Sequence, residues 1–148
     1  EIQRVSDALS HPLRTSYAVL LTQQLHVMTD FFTQVCGLSI AHETSDRKCV
    51  SLRGIADKPG TDITLIETDE DNVGLHHFGF ELLSGAEVDN AKTALLDAGF
   101  ALEREVSNAG KQAVFLRDPD GLCLAFTTRT APSFEALEEP HAARAYFA

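Results

Sequence analysis

"HHFGFEL", residues 76–82, is the stretch on which the reading of this chain turns. From His77 onward, Phe78, Phe80 and Leu82 share one parity, while His77, Gly79 and Glu81 share the other. A strand sends successive side chains to opposite faces, so the segment reads as a half-buried strand with Phe78, Phe80 and Leu82 on the core side. The opposite face begins with an imidazole. Its role depends on what else the fold brings to that face.

The stretch has a counterpart earlier in the chain. The segment from Tyr17, "YAVLLTQQLHVMTDFFTQVCGLSIAHE", and the segment from His77, "HFGFELLSGAEVDNAKTALLDAGFALERE", each read as strand, turn, amphipathic helix, glycine and further strand. Gly37 and Gly99 fall where helices end in a left-handed residue. "KCVSLRG" from Lys48 then matches "QAVFLRD" from Gln112, and "DITLIE" from Asp62 matches "CLAFTT" from Cys123. Leu25, Met28, Phe32 and Val35 share one helical face, as do Val88, Ala91 and Leu95. Ser84 and Glu87 form a capping-box pattern, and "RDPDG" (117–121) is a tight turn between antiparallel strands. The sum is an α+β domain of two βαβββ modules whose curled sheets enclose a concave cleft.

The repeat divides the chain into an N-terminal helical extension (1–14), the repeated domain (15–128, modules about 15–68 and 75–128) and a C-terminal arm (129–148). Residues 55–61 are the longer hairpin loop of the first module. The chain starts at Glu1, which leaves a longer protein open.

Strand parity sorts the two faces. Ala18, Leu20, Val50, Leu52, Ile63, Leu65, Phe78, Phe80, Leu82, Val114, Leu116, Leu124 and Phe126 are assigned to the helix side. The cleft side receives Tyr17, Val19, Ser51, Arg53, Thr64, His77, Gly79, Glu81, Phe115, Arg117, Cys123 and Ala125. His76 takes helix-side parity. The cleft set mixes aromatic, small and ionisable groups, as small-molecule pockets do.

Composition bounds the function. The chain of 148 residues is 44% hydrophobic and carries a formal net charge of −10. Phosphate backbones would be repelled, so nucleic acid is not expected as a partner. No apolar run approaches a bilayer span, so no membrane is expected either. Cys36, Cys49 and Cys123 form neither a disulfide framework nor a metal or redox motif, and a reducing cytoplasm is the expected compartment.

The double repeat, with "FFTQVCGL", "GLHHFGFEL" and "FLRDPDGLCLAF", resembles the vicinal oxygen chelate superfamily. That group includes glyoxalase I, extradiol dioxygenases, methylmalonyl-CoA epimerase, and fosfomycin and bleomycin resistance proteins. The resemblance implies a divalent metal held by residues from the first and last strand of each module. The matching positions here are Tyr17, Thr64, His77 and Ala125, so one usual ligand of four is kept. Alanine supplies none, and tyrosine would ligate only as a costly phenolate. Glu81 shares the face of His77 but stands about 13 Å along the strand. Extradiol members carry a tyrosine where this chain has Phe115, which has no hydroxyl to offer.

No metal and no other cofactor is therefore expected. The leading reading is metal-independent binding of a small molecule in the cleft, similar to bleomycin resistance-type sequestration, with the acidic chain suited to a basic ligand. The expected contact residues are Tyr17, Val19, Ser51, Thr64, His77, Glu81, Phe115, Arg117 and Ala125. His77 is the best candidate for a catalytic base, because histidine is the usual acid–base side chain; its plainer alternative is a bond to Tyr17. Two readings stay open: an enzyme of the glyoxalase, epimerase or dioxygenase type with a rearranged metal site, and a non-catalytic accessory domain. A homodimer is the expected assembly.

Overall fold

A computed structural model describes residues 14–54, 62–108 and 111–128. The first module runs β1 (Arg14–Thr22), α1 (Leu25–Asp30), a π-helical turn (Phe31–Val35), β2 (Ser39–Glu43), β3 (Cys49–Arg53) and β4 (Ile63–Glu67). The second runs β5 (Gly74–Leu82), α2 (Gly85–Asp97), β6 (Arg104–Asn108), β7 (Lys111–Arg117) and β8 (Cys123–Thr128). The two βαβββ units are thus as the repeat predicts. The expected N-terminal helix, the 55–61 loop and the C-terminal arm lie outside the described residues.

All eight strands form one sheet in the order β2-β3-β4-β1-β5-β8-β7-β6. The order is a palindrome about the β1–β5 seam, where the two modules pair antiparallel. Each module's first strand also pairs in parallel with its last, β1 with β4 and β5 with β8. Val19 stands opposite Thr64 in one module and Gly79 opposite Ala125 in the other. Two residues earlier, Tyr17 and His77 hold equivalent places, so the register carries the repeat residue by residue.

Local chemistry explains the joints. Ser84 caps α2 by accepting the Glu87 backbone N–H at 3.4 Å, which satisfies an otherwise orphan donor. Both helical segments close on a left-handed glycine, Gly37 at φ +79° and Gly99 at φ +88°, conformations that residues with a side chain rarely adopt. In the β7–β8 turn, Asp118 Oδ1 accepts from the backbone N–H of Asp120 (2.9 Å) and of Leu122 (2.8 Å).

Each module buries two apolar layers. On the helix side Leu25 packs with Val50, Leu52 and Leu65, joined by Leu20, Met28, Phe32, Leu38 and Ile63. Across the seam Val88 and Ala91 of α2 pack with Leu82 and Val114. The helical face in the first module departs from expectation at one point. Val35, placed with Leu25, Met28 and Phe32 by a 3.6-residue period, is 71% exposed. The wider π-helical turn rotates it off the face, and Leu38 packs there instead. On the cleft side lie Val19, Cys49 and Ile66 of the first module and Ala113, Phe115, Cys123 and Ala125 of the second.

Candidate functional site

The β1–β5 seam is not a regular ladder. Tyr17 pairs with Gly79 and Val19 with His77, but Leu20 pairs with Leu75, so His76 is an extra residue on β5. A similar shift between Thr15 and Tyr17 leaves an extra residue on β1, at the mirrored place in the palindrome. A bulge re-aims the side chain it carries. His76, which strict alternation sends to the helix side, instead brings its Nδ1 to 2.7 Å from Nδ1 of His77. This corrects the parity assignment, which has no means of seeing a bulge.

The seam gathers aromatic rings. Tyr17 shares a hydrogen bond with His77, Oη to Nε2, at 2.9 Å. The two rings meet edge to face, with centroids 5.2 Å apart and planes at 86°. On its other side His77 meets Phe115 at 5.1 Å and 72°, a favoured geometry for ring quadrupoles. His77 is wholly buried. Gly79 makes the arrangement feasible, since a Cβ there would stand 2.6 Å from Tyr17 Cε1. Tyr17, His77 and His76 therefore form a continuous hydrogen-bonded chain. At 2.7 Å one proton lies between the two Nδ1 atoms, so one imidazole donates to the other.

Beyond this chain lies a hollow of ≈140 Å³ lined by His76, Glu103, Arg104, Phe115, Arg117 and Cys123. The Arg104 guanidinium sits 4.3 Å from the centroid of the Phe115 ring, a cation–π contact. Arg117 donates to Glu103 Oε1 at 2.7 Å and to the Gly121 carbonyl at 2.9 Å. Cys123 Sγ donates to Glu103 Oε2 at 3.4 Å. The hydrogen bond from Arg117 holds the Glu103 carboxyl below the usual carboxylate range. Burial, then the nearby Arg104 and Arg117, lowers the pKa of His76 and favours its neutral ring. Burial, then the Glu103 hydrogen bond, pushes the Cys123 thiol up to about 11.

The model of the Glyoxalase/Bleomycin resistance protein/Dioxygenase superfamily matches residues 14–126. The chain belongs to this superfamily. Comparison with curated proteins gave no match. Among solved structures, a variant of homoprotocatechuate 2,3-dioxygenase from Brevibacterium fuscum is similar, with TM-score 0.75 and 23% identity over 90% of this chain and 37% of that one. The anaerobic complex of that enzyme with 3,4-dihydroxyphenylacetate gives the same score and identity over 95% and 44%. So does a room-temperature structure of an extradiol ring-cleaving dioxygenase from B. fuscum, over 95% and 39%. The chain spans less than half the length of these enzymes, and the likeness is one of fold.

The metal that superfamily membership implies can be tested against the residues present. His77 has Nε2 engaged by Tyr17 and Nδ1 engaged by His76. Thr64 Oγ1 shares a 3.3 Å hydrogen bond with Ser51 Oγ. Ala125, fully buried and opposite Phe115 in register, has no donor to give. Among the described residues no group of three or more His, Cys, Asp or Glu is placed to hold a metal ion. The side chains at these positions do not fit a divalent ion.

The remaining cleft-face residues fall into separate places. Tyr17, His77 and Phe115 touch; Phe115 and Arg117 reach the hollow. Val19 is sealed against Cys49 and Ile66, and Ser51 with Thr64 forms a buried pair in the first module. Glu81 lies buried near the end of β5, in register with Thr127, away from the hollow. The hollow adds His76, Glu103, Arg104 and Cys123 to the residues singled out from sequence. Cys123 was legible by parity, whereas Glu103 and Arg104, at the entry to β6, belong to no motif.

Proposed function

We propose that this chain binds a compact small molecule on the cleft face of its second module without a resident metal. The observation that supports this reading is the hollow beside Phe115, with charged and neutral hydrogen-bonding groups converging on one aromatic floor. Its ≈140 Å³ falls below the roughly 300–1,000 Å³ of drug-sized pockets, so the ligand is small or enters with one arm. The centre of the cleft, around Gly79 and Ala125, is filled by the Tyr17 ring and its neighbours rather than open. Binding therefore belongs to the β6–β7–β8 side. The superfamily contains proteins that sequester small molecules without altering them, and the engaged Thr64 hydroxyl and donorless Ala125 favour that role.

A second reading, a metal-dependent enzyme, draws support from the dioxygenase likeness of the fold. One experiment separates the two. A set of compact aromatic compounds is screened by NMR against protein treated with EDTA, with assigned signals of Phe115, Cys123 and His76 as reporters. Saturable shifts confined to the hollow support metal-independent binding. Shifts that arise only after a divalent metal is restored would favour the enzyme.

A further inference from the structure

The two modules repeat one architecture, yet their helices meet solvent differently. The exposed positions of α2 include Asp89, Asn90, Thr93 and Asp97, and among them Leu96 alone is large and apolar. In the first module Val27, Phe31 and Val35 are 57%, 48% and 71% exposed, and they follow one another at intervals of four residues. Four residues overshoot one turn of α-helix and fall short of one turn of π-helix. The rotation gained from Val27 to Phe31 is therefore reversed from Phe31 to Val35. The π-helical turn, in which no residue is buried, thus straightens the three side chains into one apolar stripe along the outer flank of the helix. Such turns are rare and concentrate at functional sites. The second module shows that the fold itself requires no such stripe.

The surroundings favour one occupant. Residues 23–40 include a single carboxylate, Asp30, in a chain that has 22 acidic side chains, and Asp30 lies 3.4 Å from His26. Two copies, each with a net charge of −10, repel one another over most of their surface and approach most easily where that charge is missing. The stripe is also symmetric, because Val27 and Val35 each stand four residues from Phe31. A two-fold axis beside Phe31 runs two stripes antiparallel, with Phe31 against the partner's Phe31 and Val27 against the partner's Val35. We propose that this face pairs with a second copy of the chain, α1 and its π-helical turn packing on their two-fold equivalents. The hollow lies in the second module, so this pairing stands apart from the binding reading above. The three side chains expose on the order of 300 Å² per copy, well below the roughly 800 Å² per partner of a standard stable interface. The dimer therefore forms reversibly, with a Kd of roughly 10–100 μM.

The test is sedimentation velocity of the full chain from about 1 to about 500 μM, a span that brackets the expected Kd. Monomer is expected to give way to dimer within it. Val35→Lys changes the most exposed side chain of the stripe, lysine is a better helix former than valine, and the variant should weaken pairing at least about tenfold. Val27→Lys should do the same from the other end of the stripe. Both substitutions lower the negative charge of each copy, so general repulsion cannot cause the loss. Leu96→Lys, the same kind of change on α2, should leave the Kd within about twofold. Position is read from a nitroxide on Cys36, which is exposed while Cys49 and Cys123 are buried. Cys36 stands five residues beyond Phe31, so at about 1.5 Å rise per residue and about 8–10 Å between axes the partner's Cys36 lies roughly 20 Å away. A pulsed EPR distance near that value supports the pairing. A monomer at every concentration overturns it, as does a dimer that both stripe variants leave unchanged, or one whose labels stay more than about 40 Å apart.

Discussion

Replacing Gly79 with alanine probes the centre of the cleft. The new Cβ would lie 2.6 Å from Tyr17 Cε1 and 3.1 Å from Cδ1 and Cζ. Ordinary carbon contacts are about 3.5–4.0 Å, so the ring must withdraw by roughly 1 Å. Such a shift carries the 2.9 Å bond from Tyr17 to His77 Nε2 beyond hydrogen-bonding reach. Overpacking costs about 1–3 kcal/mol, and a buried nitrogen left without its partner costs about 1–3 more, so Gly79→Ala should destabilise by about 2–6 kcal/mol. Tyr17→Phe removes the same bond without the clash and should cost about 1–3 kcal/mol. Because both variants lose one shared interaction, the double variant should fall short of the sum by about 1 kcal/mol or more. Urea unfolding with an unchanged m value measures all three. A cost below about 0.5 kcal/mol for Gly79→Ala, or strict additivity, would refute the packing described for Tyr17.

Three further outcomes follow from the same structure. At pH 8 a thiol reagent should modify exposed Cys36 rapidly and leave buried Cys49 and Cys123, the last with its pKa raised to about 11, unmodified until denaturant is added. His76 has a folded pKa below its ordinary 6.5, so the unfolded chain binds the extra proton. Its contribution is complete above pH 6.5 and is lost as pH falls through the lower folded value, and His76→Asn should flatten the slope of urea midpoint against pH in that window. Ser84→Ala should cost about 1 kcal/mol, since the Glu87 N–H loses its cap, and Ser84→Gly only a few tenths.

Much of the fold was legible because it is written twice. The offset between Tyr17 and His77 reappears as the register of β1 on β4 and β5 on β8, and the glycines at 37 and 99 mark the same joint in both modules. Alternation then separated helix-side Val50 and Val114 from cleft-side Cys49 and Phe115. The readings that failed involve a break in period. The bulge at His76 inverts one side chain, and the π-helical turn after Asp30 turns Val35 outward. Glu103 and Arg104 meet the hollow through the pairing of β6 on β7, a long-range register that no local pattern announces.

The central claim is that the Tyr17–His77–His76 chain closes the place where a metal would otherwise bind. Ring nitrogen spectra of the protein labelled with ¹⁵N-histidine, recorded before and after one equivalent of Zn(II), test it directly. Both ring nitrogens of His77 are expected to be hydrogen-bonded, unchanged by zinc and perturbed by Tyr17→Phe. A stoichiometric shift of a His77 nitrogen on adding zinc, in protein with Tyr17 intact, would contradict it.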